Sequence, residues 1–325
     1  MRAPDFWRRN GLLSSVLSPV GLIWSWRTRS RIANASPVKI EIPVVCIGNV
    51  VTGGAGKTPV ALAVADRLIK AGNAPAFLSR GYGGKSRNPV QVDPERHSAR
   101  DVGDEPLLLA RRAPTWVGRD RAQTALATVR AGIDALIMDD GLQNPGLQKD
   151  LSILVVDGQY GFGNGCIMPA GPLRESLEDV FKRIQAIVVI GTMTGALRAS
   201  LPDGVPVLTA RFVPTSVDDD ISGKRVVAFA GIGRPDKFFE TLAGMGCDLV
   251  ETKSFPDHHY FSVDEVMRLI EMAAATDGIV VTTEKDLVRV PEDAREMVRS
   301  LKVALDWDDT GALDDVLSPI TRKKA

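Results

Sequence analysis

The chain has 325 residues, of which 44% are hydrophobic, 25% charged and 6% aromatic, a composition for roughly two globular domains with a core in each and not for a disordered or fibrous chain. Forty Lys and Arg balance forty Asp and Glu, which excludes a basic protein that coats nucleic acid. Cys46, Cys166 and Cys247 stand far apart and the three histidines form no H-E-x-x-H pattern, so a disulfide framework, a structural zinc site and a zinc protease are excluded and a reducing compartment fits.

The balanced charge is unevenly placed. Residues 1–40 carry Arg2, Arg8, Arg9, Arg27, Arg29, Arg31 and Lys39 against Asp5 alone, a net of +6 on a body of −6, together with Trp7, Trp24 and Trp26. Asn10 to Trp26 is uncharged, but only nine of these 17 residues are apolar, short of the ~20 that a spanning helix needs. Ala33-Asn34-Ala35 imitates a signal cleavage site, yet the strand and loop that follow read as cytosolic. Residues 1–35 are therefore expected to form an amphipathic helix lying in a membrane surface, with basic residues at both ends on anionic lipid. The alternative is a helix packed on the protein's own core.

From residue 40, short β-branched runs alternate with helical stretches. Strands are expected at Ile42–Ile47, Ala74–Ser79, Thr115–Val117, Ala135–Met138, Ile153–Val156, Ala186–Ile190 and Val207–Ala210, with helices at Pro59–Ala71, Glu105–Arg112 and Arg121–Ala131. This alternation predicts an α/β fold with a mostly parallel, P-loop NTPase-like sheet over residues 36–215. The Pro-, Asp- and Ser-rich stretch 213–223 reads as a linker. Beyond it the pattern restarts, with strands at Arg225–Ala230 and Ile279–Thr282 and helices at Pro235–Met245 and Val263–Ala275, which predicts a smaller α/β domain over 216–325.

The strongest local pattern runs from Ile47 to Pro59. A strand enters Val51, Thr52, Gly53, Gly54, Ala55 and Gly56, and Lys57-Thr58 opens a helix. Glycines let backbone N–H groups wrap a phosphate at a helix N-terminus. Lys57 can reach the β- and γ-phosphates and Thr58 can hold Mg²⁺. The strict pattern places Gly where this chain has Val51. A nucleotide loop of this kind needs an acid at the end of a neighbouring strand, and Asp139 and Asp140 close the apolar run 135–138 as the matching Mg²⁺ side.

Six further strings follow in order: Ser79-Arg80-Gly81-Tyr82-Gly83-Gly84, Val102-Gly103-Asp104-Glu105-Pro106, Gly118-Arg119-Asp120-Arg121, Asp139-Asp140-Gly141-Leu142-Gln143, Pro169-Ala170-Gly171-Pro172-Leu173-Arg174-Glu175 and Phe255-Pro256-Asp257-His258-His259. With the glycine-rich loop, they resemble the tetraacyldisaccharide 4′-kinases, the lipid A 4′-kinase family, over about residues 5–290. The resemblance implies transfer of the γ-phosphoryl group of ATP, with Mg²⁺, to the 4′-hydroxyl of a tetraacyldisaccharide 1-phosphate, giving lipid IVA in lipid A biosynthesis. It implies a two-domain P-loop fold at the cytoplasmic face of the bacterial inner membrane, held by the N-terminal helix. By position it assigns Asp104 and His258 as a catalytic acid–imidazole pair, with His259 as the alternative imidazole. A positioned carboxylate or imidazole can accept the proton of an attacking hydroxyl.

Arg121 is the candidate for steadying phosphate charge, as a guanidinium forks onto phosphate oxygens. Arg174, Glu175, Gln143 and Arg80 are the candidates for the lipid acceptor. The family continues D-D-G-L-Q with His, where this chain has Asn144. Thr282-Thr283-Glu284-Lys285-Asp286 is read as a contact to the nucleotide base. No nucleic acid and no obligate protein partner is expected. The rival reading is a membrane-associated regulatory P-loop ATPase. Such proteins carry Lys where this chain has Thr52 and lack a D-H-H string.

Overall fold

The computed structural model describes residues 4–216 and 221–321. Twelve strands form one sheet: β1 (Val44–Gly48), β2 (Pro75–Ser79), β3 (Val90–Gln91), β4 (Thr115–Val117), β5 (Ala135–Asp139), β6 (Leu151–Asp157), β7 (Ala186–Ile190), β8 (Val207–Ser216), β9 (Arg225–Ala230), β10 (Asp248–Ser254), β11 (Ile279–Thr283) and β12 (Val298–Trp307). Their order is β10-β9-β11-β12-β8-β7-β6-β1-β5-β2-β4-β3. All pairs are parallel except β12 with β8 and β3 with β4. The strands β1, β5, β6 and β7 are buried along their whole length, as continuous apolar runs in a doubly covered parallel sheet must be.

β1 lies between β5 and β6, so the chain departs in opposite directions on its two sides. Such a switch point opens a crevice at the carboxyl ends of the strands, where ligands bind. The loops after β1, β5 and β6 therefore converge there.

The stretch expected to be a linker begins inside β8. Val213 pairs with Ala304 and Pro214 with Val303, which makes the sheet continuous between the two halves of the chain. Residues 217–220 of that stretch lie outside the described residues. After β12, the Thr310–Leu317 helix returns to the first half. Trp307, Leu313, Leu317 and Ile320 join the core formed by the helix α2 (Lys57–Lys70) and β1, β5, β6 and β7.

The N-terminal segment forms a 22-residue helix, α1 (Leu12–Ala33). Its small residues Ser14, Gly21 and Thr28 are buried, seven residues apart on one side. A side chain at Gly21 would stand 3.0 Å from the Ile167 carbonyl oxygen. Leu12, Val16, Leu22, Ile23 and Trp26 are exposed, Leu12 by 82% and Trp26 by 71%. The helix thus turns its small side to the protein and its apolar side outward, the reverse of a soluble surface helix. The Trp7 indole N–H donates to the Pro169 carbonyl at 3.0 Å, and Arg29 pairs with Asp179 at 2.8 Å. Among the described residues, no helix is long and apolar enough to cross a membrane.

Leu313 is fully buried in the shared core. Leu313→Ala is expected to destabilise the protein by about 2–5 kcal/mol through the cavity it leaves. Chemical denaturation followed by circular dichroism measures this; an unchanged midpoint would mean that the C-terminal helix adds nothing to that core.

Candidate active site

The glycine-rich loop is held at its start. Val51 bridges to Leu173, and the Thr52 N–H donates to the Pro172 carbonyl at 2.9 Å. These contacts tie the loop to the Pro169–Glu175 string. Gly56 is left-handed, with φ of +84°, and a side chain there would meet the Ile190 Cδ1 at 2.5 Å. Only glycine fits this turn, and it lets Lys57 open α2 with free N–H groups facing the crevice. Lys57 Nζ stands 3.8 Å from Asp140 Oδ1.

Thr58 Oγ1 donates to Asp139 Oδ2 at 3.0 Å. Asp139 Oδ1 is buried without a hydrogen-bond partner among the described residues. Burial, reinforced by the charge of Glu105, pushes the Asp139 carboxyl up to about 7. A bound cation reverses that preference. Among the described residues, no group of three or more His, Cys, Asp or Glu could hold a metal ion by itself. A P-loop Mg²⁺ site does not need one, since phosphate oxygens and water complete its shell. The orphaned Asp139 oxygen beside Thr58 fits such an ion.

Asp140 has a φ of +55°, a costly conformation for a residue with a side chain. Arg174 Nη1 donates to its two oxygens at 2.9 and 3.1 Å. Burial opposes the charge on Asp140, but Lys57 and Arg174 outweigh it and hold the carboxyl below its ordinary range. Gln143 Nε2 donates to the Asn49 carbonyl and to Glu175 Oε1, both at 3.0 Å. Glu175 is buried and pairs with Arg183, and burial raises its pKa. It therefore faces the protein framework. Asn144, which replaces the family histidine, accepts from the Gly146 N–H at 3.0 Å and closes a turn.

Arg121 is 5% exposed. Asp120 does not pair with it but caps the Arg121–Val129 helix through the N–H groups of Ala122 and Gln123 at 2.9 and 3.0 Å. The Arg121 Nη1 has no hydrogen-bond partner among the described residues. Burial lowers its pKa, and the charges of Asp140 and Asp139 oppose that fall. Arg80 is exposed, just after β2.

Asp104 opens the Asp104–Ala110 helix of the first half and is 2% exposed. His258 comes from the second half, 154 residues later, and its Nδ1 lies 2.9 Å from Asp104 Oδ2 and 3.2 Å from Oδ1. His258 has a φ of +60°, so this imidazole too is held in a strained backbone. Arg289 Nη1 stands 3.4 Å from Asp104 Oδ2. Burial opposes ionisation of Asp104, but the hydrogen bond from His258 and the charges of Lys285 and Arg289 prevail and bring it down to about 2. His259 stacks on Phe255 at 4.8 Å and meets Glu265 in the cap of the next helix. The sequence leaves two histidines open; only His258 faces Asp104.

The site also draws on residues outside the family strings. Gly233 lies so close to the nucleotide loop that a side chain there would stand 3.2 Å from the Gly54 nitrogen. Beside it, Arg234 and Lys237 pair with Asp157 at 2.5 and 2.7 Å, and Arg234 lies over the Tyr160 ring at 4.5 Å. Asp157 ends the apolar strand β6 as Asp139 ends β5, so the signal that singles out Asp139 was available for it. In the Thr282–Asp286 string, Thr282 and Asp286 are fully buried and bond to Phe229 and Gly231, while Lys285 reaches across and donates to Glu105 Oε1 at 3.0 Å.

With this geometry in view, comparison with known proteins places it. The sequence profile of the tetraacyldisaccharide-1-P 4′-kinase family matches residues 13–322. Tetraacyldisaccharide 4′-kinase of Rhodospirillum centenum is 48% identical over 330 residues, covering 100% of this chain and 98% of its own. That of Paramagnetospirillum magneticum is 50% identical over 309 residues, covering 95% of each. A crystal structure of LpxK from Aquifex aeolicus in complex with ATP superposes with a TM-score of 0.78 at 26% identity, over 96% of this chain and 100% of that one.

The Asp104 ion pairs make an acid-sensitive element. A carboxyl whose pKa falls on folding contributes stability above its unfolded value near 3.9, and that stability is lost as pH falls through about 2. Asp104→Asn is expected to cost about 2 kcal/mol at pH 7 and to flatten the loss between pH 4 and 2. Denaturation midpoints across that range measure both. Parallel acid curves for the two proteins would contradict this ionisation.

Proposed function

Because the chain belongs to the tetraacyldisaccharide-1-P 4′-kinase family, we propose a residue-level account of phosphoryl transfer on it. The protein is an ATP-dependent tetraacyldisaccharide 4′-kinase of lipid A biosynthesis. The observation that carries the account is the meeting of Asp104 and His258 at 2.9 Å across the crevice into which the nucleotide loop opens.

ATP would lie with its phosphates along the loop 51–58, on the backbone N–H groups that follow Thr52, whose own N–H is held by Pro172, and Lys57 would neutralise the β- and γ-phosphates. Thr58 and Asp139 would hold Mg²⁺, supported by the unpartnered Asp139 oxygen, and Asp140 would orient its water shell. The ion, when bound, neutralises phosphate charge. Arg121, whose Nη1 has no protein partner, steadies the charge of the transferring group. The acceptor's 4′-hydroxyl attacks the γ-phosphorus as the bond from that phosphorus to the β,γ-bridging oxygen breaks and ADP leaves, and the hydroxyl proton passes to the Asp104–His258 pair. The anionic carboxylate orients the imidazole, and the two act as one proton acceptor. Arg80, Arg174 and Gln143 bind the disaccharide head. Glu175 supports them from within through Gln143.

The apolar outer side of α1 supports a surface-bound enzyme. Leu12, Val16, Ile23 and Trp26 lie in the interfacial layer, and the arginines near both ends of the helix meet anionic lipid. This holds the crevice against the cytoplasmic face of the inner membrane, where the acyl chains of the acceptor remain. Residues 36–215, joined by the returning Thr310–Leu317 helix, act as the P-loop unit, and the preceding part of 216–325 as the smaller unit that brings His258. Closure of one on the other excludes water, so that phosphate goes to the sugar.

Transfer of ³²P from γ-labelled ATP to tetraacyldisaccharide 1-phosphate in detergent is expected with pure protein. Lys57→Ala should abolish it while circular dichroism stays unchanged. Labelled product at the wild-type rate from that variant would remove Lys57 from the mechanism. For the surface reading, serine at Leu12, Val16, Ile23 and Trp26 should move the protein from sedimented anionic vesicles to the supernatant. Undiminished sedimentation would place the lipid contact elsewhere.

A further inference from the structure

Lys285 has no part in the transfer steps above, yet it stands against the catalytic pair. It sits on the short Glu284–Leu287 helix, whose frame is rigid: Thr283 caps it through the Asp286 N–H at 3.0 Å, and Asp286 accepts from the Gly231 N–H at 3.0 Å. From there Lys285 Nζ donates to Glu105 Oε1 at 3.0 Å and faces His258 Nε2 at 3.5 Å.

The two nitrogens of His258 thus see opposite partners. Nδ1 meets a carboxylate at 2.9 Å and Nε2 meets an ammonium. An ammonium has donors only, and a carboxylate accepts only. A neutral imidazole with its single proton on Nδ1 satisfies both sides. The opposite tautomer satisfies neither, and an imidazolium turns a second N–H toward a cation.

The remaining charges make Lys285 decisive. Asp104 and Glu105 face His258 from the Asp104–Ala110 helix, and Asp257 Oδ1 lies 3.8 Å from Nε2. Arg289 reaches Asp104 at 3.4 Å, and on the loop after β2 the Tyr82 ring lies 5.4 Å from the imidazole. Without Lys285, the ring would face three carboxylates and one guanidinium, and no cation would stand opposite Nε2. Burial works against the charge on Lys285, but Glu105, Asp104 and Asp257 push it up to about 12, so the ammonium persists throughout the neutral range.

Resting on the reading that Asp104 and His258 accept the hydroxyl proton, we propose that Lys285 is a positioning residue that fixes His258 as the neutral Nδ1–H tautomer. The pair then keeps its capacity to take up a proton. An imidazolium would have lost it.

The test compares Lys285→Met and Lys285→Arg with the wild type. Lys285→Met leaves the carboxylates around the ring unopposed, so the acidic limb of kcat/KM for the acceptor should move up by roughly one pH unit. KM for ATP should stay the same, and Lys285→Arg should keep the wild-type limb. The chain has three histidines, so ¹⁵N-histidine NMR with His258→Gln for assignment reads the tautomer directly. A protonated Nδ1 and a bare Nε2 at neutral pH are expected, with imidazolium persisting to higher pH in Lys285→Met. An unmoved limb in Lys285→Met, even at lowered kcat, would overturn the proposal, and so would Nε2–H in the wild type. Should Lys285→Met fail to fold, Lys285→Arg and the wild-type spectrum still decide. Wild-type turnover by His258→Gln would instead sink the reading of the pair, whatever its tautomer.

Discussion

The hydrogen bond between Asp104 and His258 joins residues 154 apart in sequence, and the two halves of the site meet through it. Burying an ionised carboxylate is expensive unless partners replace the lost water. Apart from the Glu105 N–H, which donates to Oδ1 at 3.0 Å, the partners come from the second half of the chain: His258, Lys285 and Arg289. The charge on Asp104 is therefore tolerable only while that half is in place. The sheet meets the same demand, since β12 pairs with β8 and makes it continuous. The Thr310–Leu317 helix then returns to the first core. Catalytic alignment and fold closure are one constraint.

The nucleotide side is organised by a different economy. Its shape is local, because a strand, a left-handed glycine and a helix N-terminus suffice to present N–H groups. What the rest of the protein adds is tethering. The Pro169–Glu175 string holds the loop by backbone contacts at Val51 and Thr52, and its Arg174 secures Asp140 in an unfavourable backbone conformation. The same string touches α1 through the Trp24 indole, which donates to the Arg174 carbonyl at 3.2 Å, and Arg31 of α1 donates to the Gln143 carbonyl of the Asp139–Gln143 string at 3.3 Å. The helix with the outward apolar side is thus fastened to the residues that surround the acceptor crevice.

How much of this was legible in the sequence depends on range. The glycine loop, the acid-ended strand β5 and nine of the strands can be read locally, because burial on both faces writes them as apolar runs. β10 carries exposed and half-buried residues almost throughout, so it has no apolar run to find. β12 begins within a charged stretch and completes its pairing with β8, far away in sequence. The Asp104–His258 contact could be named only through the family resemblance, since spacing says nothing about residues 154 apart. Arg289, Arg234 and Lys237 were hidden for the same reason, and so was the contact of Lys285 with His258: each is ordinary in its own segment and acquires meaning from the segment it meets. Glu175 sits in a diagnostic string yet faces inward, because motif membership does not specify direction.

The central claim is that Asp104 and His258 work as a single proton acceptor, and a double-mutant cycle on kcat/KM tests it most directly. Asp104→Asn, His258→Gln and the double variant would be compared in the phosphoryl-transfer assay. If the two residues act as a unit, the double variant loses little more than the worse single variant, a strongly non-additive result. If the two losses multiply, the residues act independently and the account is contradicted.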